Sequence, residues 1–307
     1  MDFISKKYSF KEIKNFIDEI LNNFIEKENN KKIKEILKHS LNGGKRIRPV
    51  ISFLIFKSFF TFQELNYEKF GNLLIIPELI HNISLIIDDL PCMDDDNYRR
   101  DKETTHFKFG IIPSYIGITK IIHNILYELR SDINTDKQFY YKENDQNVKY
   151  IKVLDFIDDI IFETLEDLLD GQYYDINLIK LDLDIDVIYK INSKKTAPLF
   201  VLSFLIGYMG ILLFDDKFII EENIIDKLTE LGNLFGFIFQ LNDDIIDRDI
   251  DEKEGKTLNI SIHIGKDKAF ELFNNKCNEF EQKLEELNLC NDNFKEIIQL
   301  LKKRINI

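Results

Sequence analysis

Apolar residues return along this chain at the three- and four-residue spacing of a single helical face. Phe10, Ile13, Phe16, Ile17, Ile20, Leu21, Phe24 and Ile25 mark the first such face, and Ser9 with Glu12 forms the capping-box pattern that starts a helix. The rhythm recurs at Leu154, Ile157, Ile161, Leu165 and Leu168, where Gly171 is expected to stop the helix. It returns at Ile224, Leu228, Leu231, Phe235 and Ile238. No stretch alternates convincingly as a half-buried strand would, and no Gly-rich phosphate loop is legible. Pro (5) and Gly (12) are scarce, as helix interiors require. The polar stretch from Arg130 to Asn147 reads as a long surface loop. With no composition shift and no internal repeat, the pattern predicts one all-α domain over residues 1–307.

Composition narrows the function. The chain is 44% hydrophobic, enough for a sizeable core, and its formal charge of -13 argues against a general nucleic-acid binder, whose footprint is basic. Cys92, Cys277 and Cys290 show no metal-ligand spacing and no even-numbered framework, which favours a reducing, cytoplasmic setting. From Asp2 onward the N-terminal residues lack a signal or transit pattern. Leu199 to Phe214 is uncharged but only about 16 residues long, short of the roughly 20 that cross a bilayer. It is expected to be a buried core helix, with no transmembrane segment.

Chemistry concentrates where acid interrupts apolar helix. Asp243 and Asp247 lie four apart and project from nearly one helical face, while Asp244 points elsewhere. Two carboxylates one turn apart repel unless a cation is shared, and Mg²⁺ suits one or two carboxylates with water and phosphate oxygens completing its shell. A solvated acidic face is the alternative, but the preceding run from Phe235 to Leu241 is almost wholly apolar. In the other cluster, Asp88-Asp89-Leu90-Pro91-Cys92-Met93-Asp94, Pro91 should interrupt the helix and let Asp94 swing back. Arg99 and Arg100 follow, and paired guanidiniums suit a metal-bridged diphosphate, although an exposed charged loop has the same composition. Gly43-Gly44-Lys45-Arg46-Ile47-Arg48-Pro49 is a turn carrying three cations. His81 lies two helical turns before Asp88, on the same face. Asp158-Asp159 imitates the second cluster without basic company and reads as a solvated helix edge.

Together these motifs resemble the trans-isoprenyl diphosphate synthases, the farnesyl and geranylgeranyl diphosphate synthase family, from about Lys34 to Ala269. The 43–49 turn is similar to the family's isopentenyl diphosphate motif, and Glu78 to Asp94 to its first aspartate-rich region. Gly171-Gln172-Tyr173-Tyr174-Asp175, Lys195-Thr196-Ala197-Pro198-Leu199-Phe200, Phe239 to Asp247 and Gly255-Lys256 follow in family order. The resemblance implies an all-α isoprenoid-synthase bundle around a central cavity, acting as a Mg²⁺-dependent homodimeric prenyltransferase. It implies catalytic roles for Asp88, Asp89, Asp94, Asp243, Asp244 and Lys195, with the metal on Asp88, Asp94 and Asp243. Lys45, Arg48, His81 and Arg100 would seat isopentenyl diphosphate. Arg99, Lys195, Thr196, Gln240 and Lys256 would hold the allylic diphosphate.

Product length is read from the helix below the first aspartates. Ile83 stands where bacterial-type farnesyl synthases carry an aromatic residue, and with the Pro91-Cys92 insertion this resembles geranylgeranyl-type enzymes, so a C20 product is expected. The chain departs from the family pattern at Ile87, at Tyr115-Ile116-Gly117-Ile118-Thr119 and in the shortened stretch after Lys256. Competing readings are a non-catalytic regulatory subunit, a farnesyl diphosphate synthase and a terpene cyclase. The basic 43–49 turn argues against the cyclase, which has no isopentenyl diphosphate to seat.

Overall fold

Ser9 caps the first helix as its sequence predicts: its hydroxyl accepts from the Glu12 N–H, and the Glu12 carboxylate accepts from the Ser9 N–H. A cap of this kind is worth about 1 kcal/mol. The computed structural model describes residues 8–60, 67–133, 136–143, 147–178, 185–215 and 217–305. The N-terminal residues read above for a targeting signal lie outside them. Packing divides the chain into two units, residues 1–139, 152–154 and 209–218, and residues 140–151, 155–208 and 219–307.

The first unit is built from α1 (Phe10–Glu26), α2 (Lys31–Leu41), α3 (Ile47–Phe59), α4 (Tyr67–Leu74), α5 (Ile76–Asp88), a hairpin of β1 (Tyr98–Arg99) and β2 (Lys102–Glu103), α6 (Thr105–Phe109) and α7 (Ile111–Asp132). Helix α1 buries Phe10, Ile13, Ile17, Leu21, Phe24 and Ile25 against α2, α3 and α4, which is the face its periodicity marks. A 3₁₀ turn, Gly210–Leu213, closes on α3 and α4, where Phe56, Phe60, Phe70 and Phe214 form an aromatic cluster with Phe56 and Phe70 stacked at 3.9 Å. Helix α5 packs on α2, α3 and α7 and carries both His81 and Asp88.

The second unit contains β3 (Gln138–Glu143), β4 (Asn147–Lys152), α8 (Val153–Leu178), α9 (Ile185–Met209), β5 (Ile219–Glu221), α10 (Glu222–Glu254), α11 (Ile260–Ile264), α12 (Lys266–Glu286) and α13 (Asp292–Arg304), except that residues 138–139, 152–154 and 209 belong to the first. The strands order as β4-β3-β5, with β3 parallel to β5 and Tyr141 opposite Ile220. This corrects the reading of 130–147 as a loop: α7 continues into it and β3 follows, while 134–135 and 144–146 lie outside the described residues. The alternation at 138–143 is partly polar, so its pattern is not that of a buried strand.

A second correction concerns Gly171. Helix α8 runs through it to Leu178, and a Cβ there would stand 2.7 Å from the Lys194 carbonyl carbon and the Lys195 nitrogen of α9. Glycine at this point permits a close helix crossing and does not end the helix. Gly232 and Gly236 of α10 do the same one turn apart: an added Cβ would lie 2.5 Å from the Cα of Val201 and of Ala197, respectively. The apolar stretch of α9 is also longer than the sequence reading allowed. Ile185–Leu213 and Phe70–Asp88 are each long and apolar enough to cross a membrane by length and composition, and both are mostly buried inside the protein, as core helices are.

Candidate active site

In the first unit, the acidic turn forms as Pro91 dictates. Helix α5 ends at Asp88, and the Asp94 N–H donates to the Asp88 carbonyl at 2.9 Å, folding the six-residue interval into a loop. Asp88 is half-buried and Asp94 exposed, whereas Asp89 is turned inward at 5% exposure. Arg99 Nε donates to Asp89 Oδ1 at 2.5 Å and Arg99 also pairs with Asp96. Burial raises the Asp89 carboxyl above its ordinary range, Arg99 opposes it and Asp96 adds to it.

Arg99 and Arg100 reach this place on the β1–β2 hairpin, where Tyr98 pairs with Glu103 and Arg99 with Lys102. The two residues of its turn, Arg100 and Asp101, both have positive φ, 54° and 59°, as a tight two-residue hairpin turn demands. His39 of α2 fastens the hairpin from the other side: its Nε2 lies 2.7 Å from the Glu103 carbonyl, and its Nδ1 3.2 Å from Lys108 Nζ. A neutral ring donating to the carbonyl and accepting from the ammonium satisfies both contacts. Burial and the neighbouring Lys108 accordingly lower the His39 pKa, with the Glu103 carbonyl opposing.

The 43–49 turn is the third part. Gly43 and Gly44 both have φ of 96°, and Arg46, at 58°, precedes α3. Lys45 is exposed and Arg48 buried. His81 is held well below its ordinary pKa by burial first, then by Arg48, Arg100, Arg99 and Arg46. Positive charge nearby disfavours a protonated imidazole there. A cavity of about 220 Å³ lies between the end of α2 and the β1–β2 hairpin, lined by His39, Gly43, Gly44, Asp89, Arg99 and Arg100 among others, and not by Lys45, Arg48 or His81. Ile83 is buried on the same helix.

Arg46, the middle cation of the motif, does not join this group. It is 5% exposed, and its Nε donates to Asp18 at 2.8 Å, Nη1 to Glu78 at 2.7 Å and Nη2 to the Leu41 carbonyl at 2.6 Å. Removing one member of such a buried pair costs roughly 3–5 kcal/mol.

The second unit assembles its candidates on α9, α10 and α11. The close crossing at Gly232 and Gly236 lets Thr196 Oγ1 donate to Gln240 Oε1 at 2.7 Å. Gln240 Nε2 donates onward to Asp244 Oδ1, and the Ile260 N–H to Asp244 Oδ2, each at 2.8 Å. Asp244 is therefore turned into the protein, at 5% exposure. Burial pushes its carboxyl up to about 7; the two donors oppose this, and Asp243 and Asp251 add to it. On the same helix Asp243 is half-exposed and Asp247 exposed, the latter raised by burial and by Asp243 and Asp251. Arg304 of α13 pairs with Asp243 at 2.7 Å and donates to Asn242 Oδ1 at 2.9 Å. Lys195 is half-exposed; the Asp175 side chain lies outside the described residues. Lys256 follows Gly255, which closes α10 at φ 72°, and pairs with Asp251 and Glu254 at 3.1 Å. The imitation cluster behaves as read, with Asp159 exposed and Asp158 half-exposed.

Among the described residues no group of three or more His, Cys, Asp or Glu is gathered to hold a metal unaided. The donor sets fit Mg²⁺ in its ordinary mode, in which one or two carboxylates bind and substrate phosphate and water supply the rest. Asp88 with Asp94, and Asp243 with Asp247, are oxygen-only pairs of this kind. The Arg304 contact to Asp243 had no signal in spacing, being 61 positions away by residue number. The Gly232–Gly236 pair did carry one: two small residues one turn apart in an apolar run.

The family model described as polyprenyl synthetase matches residues 30–301, a span that covers both units. A farnesyl diphosphate synthase of Bacillus subtilis is 30% identical over 73% of this chain and 69% of its own length. A geranylgeranyl diphosphate synthase of Saccharolobus solfataricus is 31% identical over 84% of this chain and 70% of its own. Among solved structures, a geranyltransferase of Helicobacter pylori complexed with magnesium and isoprenyl diphosphate shares the fold, with a TM-score of 0.71 at 20% identity over 97% of this chain and 98% of that one.

Proposed function

The chain belongs to the polyprenyl synthetase family, and from that premise we propose that it condenses isopentenyl diphosphate with allylic diphosphates and releases geranylgeranyl diphosphate. It is an enzyme of the trans-prenyltransferase type, and residues 1–307 act as one synthase domain. The observation that carries the substrate reading is one cavity at which the Gly43-Gly44 turn, Asp89 and the hairpin arginines Arg99 and Arg100 meet. That pairing of cation-rich and acid-rich surfaces suits a diphosphate and its counter-cation.

Asp88, Asp94 and Asp243 would hold Mg²⁺, which would supply charge neutralisation to the departing diphosphate. Lys45, Arg48, His81 and Arg100 seat isopentenyl diphosphate. Arg99, Lys195 and Lys256 neutralise allylic diphosphate oxygens. Asp89 orients Arg99, while Thr196, Gln240 and Asp244 form the hydrogen-bonded chain that steadies α9 against α10. As the allylic carbon–oxygen bond breaks, the isopentenyl double bond attacks the resulting cation. Loss of a proton then restores a double bond and completes the cycle.

The C20 product is supported by Ile83, buried five residues before Asp88, where an aliphatic side chain leaves more depth than an aromatic ring. The exposed stripe Ile112, Tyr115, Ile116, Ile122 and Tyr127 on α7 supports a homodimer, because an apolar face of this size favours a partner. Unpaired cysteines among the described residues accord with a cytoplasmic enzyme.

Purified chain incubated with Mg²⁺, labelled isopentenyl diphosphate and dimethylallyl, geranyl or farnesyl diphosphate tests this reading, with the products sized. Incorporation stopping at C20 is expected. A C15 limit would make it a farnesyl synthase, and a hydrocarbon without isopentenyl label a cyclase. Product formed only when a second protein is added would make it a regulatory subunit.

A further inference from the structure

We propose that Arg46 and Glu78 are positioning residues for the isopentenyl side of the reaction: their buried ion pair fixes the 43–48 turn against Arg100. The proposal rests on the reading above that Lys45, Arg48 and Arg100 seat isopentenyl diphosphate.

Every side of the Arg46 guanidinium is committed. Its three nitrogens donate to Asp18 on α1, Glu78 on α5 and the last carbonyl of α2. With 5% exposure it has no face left for substrate. Its backbone nevertheless begins α3 in the left-handed region, so where Arg46 is anchored determines where Lys45 and Arg48 stand on either side of it.

Glu78 extends this control to the hairpin. A Cβ on Gly44 would lie 2.8 Å from Arg100 Nη1, 3.5 Å from Arg46 Nη1 and 3.6 Å from Glu78 Oε1. Two guanidiniums and one carboxylate oxygen thus converge on a space the size of one methyl group, next to a glycine that leaves it open. Two cations this close repel, and Glu78 is the buried anion beside both. The same neighbourhood appears in Arg100, whose pKa is lowered by burial, raised by Glu78 and lowered again by Arg99 and Arg46. Without Glu78 the hairpin arginine and the turn arginine separate, and the outer cations lose their spacing. Buried pairs of this kind contribute modestly to stability and are better suited to fixing one geometry.

The test uses the full chain. Glu78→Gln keeps shape and an acceptor for Arg46 but removes the charge; Arg46→Met with Glu78→Leu replaces the pair by apolar volume and preserves a folded comparison if the single variant unfolds. We expect KM for isopentenyl diphosphate to rise about tenfold in both variants with the allylic KM nearly unchanged, while Glu78→Gln melts lower and the double variant melts near wild type. Both KM values rising together in the double variant would overturn the proposal, as would an unchanged isopentenyl KM in either folded variant. Binding of inorganic diphosphate by calorimetry separates this from the functional reading. If the wild type incorporates no isopentenyl unit, that reading fails, yet diphosphate affinity weakened about tenfold in the variants still supports positioning, and equal affinity refutes it.

Discussion

The two aspartate pairs, Asp88-Asp89 and Asp243-Asp244, are alike in composition and opposite in construction. In each, the first carboxylate is half-exposed and the second is turned inward at 5% exposure. Asp89 meets a guanidinium, from a hairpin strand; Asp244 meets only neutral donors, the Ile260 N–H and the Gln240 amide. Both carboxyls are raised by burial, but only Asp244, with Asp243 and Asp251 beside it and no cation among its donors, reaches about 7. The first pair closes a loop that Pro91 creates, and the second lies within an unbroken 33-residue helix. Burial therefore sorts the members of each pair, one turned inward and one half-exposed, and the surroundings of the buried one set how far its carboxyl is raised.

The comparison is tested most severely at the outward members. Asp88→Ala or Asp243→Ala should lower turnover on the order of 10²–10³-fold, the size of losing one preorganised transition-state contact, with helix content and melting retained. Near-normal isopentenyl incorporation by either variant would remove it from the metal set.

A smaller effect separates the inward members. Asp244 binds its proton more tightly folded than unfolded, so it favours the native state below about pH 4, and this contribution is lost as pH rises to about 7. Melting of wild type relative to Asp244→Asn should fall across that window, by the equivalent of a few kcal/mol, on the order of 1.4 kcal/mol per pKa unit. A difference that stays flat from pH 4 to 7 would contradict the neutral-donor account.

The smallest effect is expected at the imitation cluster. Asp159→Asn, on an exposed face of α8, should leave turnover within about twofold and stability within about 0.5 kcal/mol of wild type. A large loss would mean that acidity alone, and not its company, marks a working site.

Much of this was legible beforehand because local rules governed it. The α1 cap, the apolar faces of α1, α8 and α10, and the turn after Pro91 each depend on residues within a few positions of one another. Gly171 looks like a stop in sequence because glycine has two uses, ending a helix or admitting a neighbouring backbone, and only the presence of Lys194 and Lys195 distinguishes them. Strand β3 was missed because its pairing with β5 lies in a distant segment. Arg46 was grouped with Lys45 and Arg48 by charge, whereas its carboxylate partners Asp18 and Glu78 sit on other helices. The Arg304 hold on Asp243 has the same non-local origin.

The β1–β2 turn has a consequence for how this protein can adapt to heat. Arg100 and Asp101 both occupy the left-handed region, where an ordinary side chain costs roughly 1–2 kcal/mol per residue, aspartate less and glycine almost nothing. Arg100 cannot give way to glycine without losing its guanidinium, but Asp101 carries no such duty. Thermal tolerance and the proposed diphosphate contact therefore compete at one of these neighbours and not at the other. A lineage moving to hotter surroundings has its readiest step at Asp101, with the arginine beside it left in place.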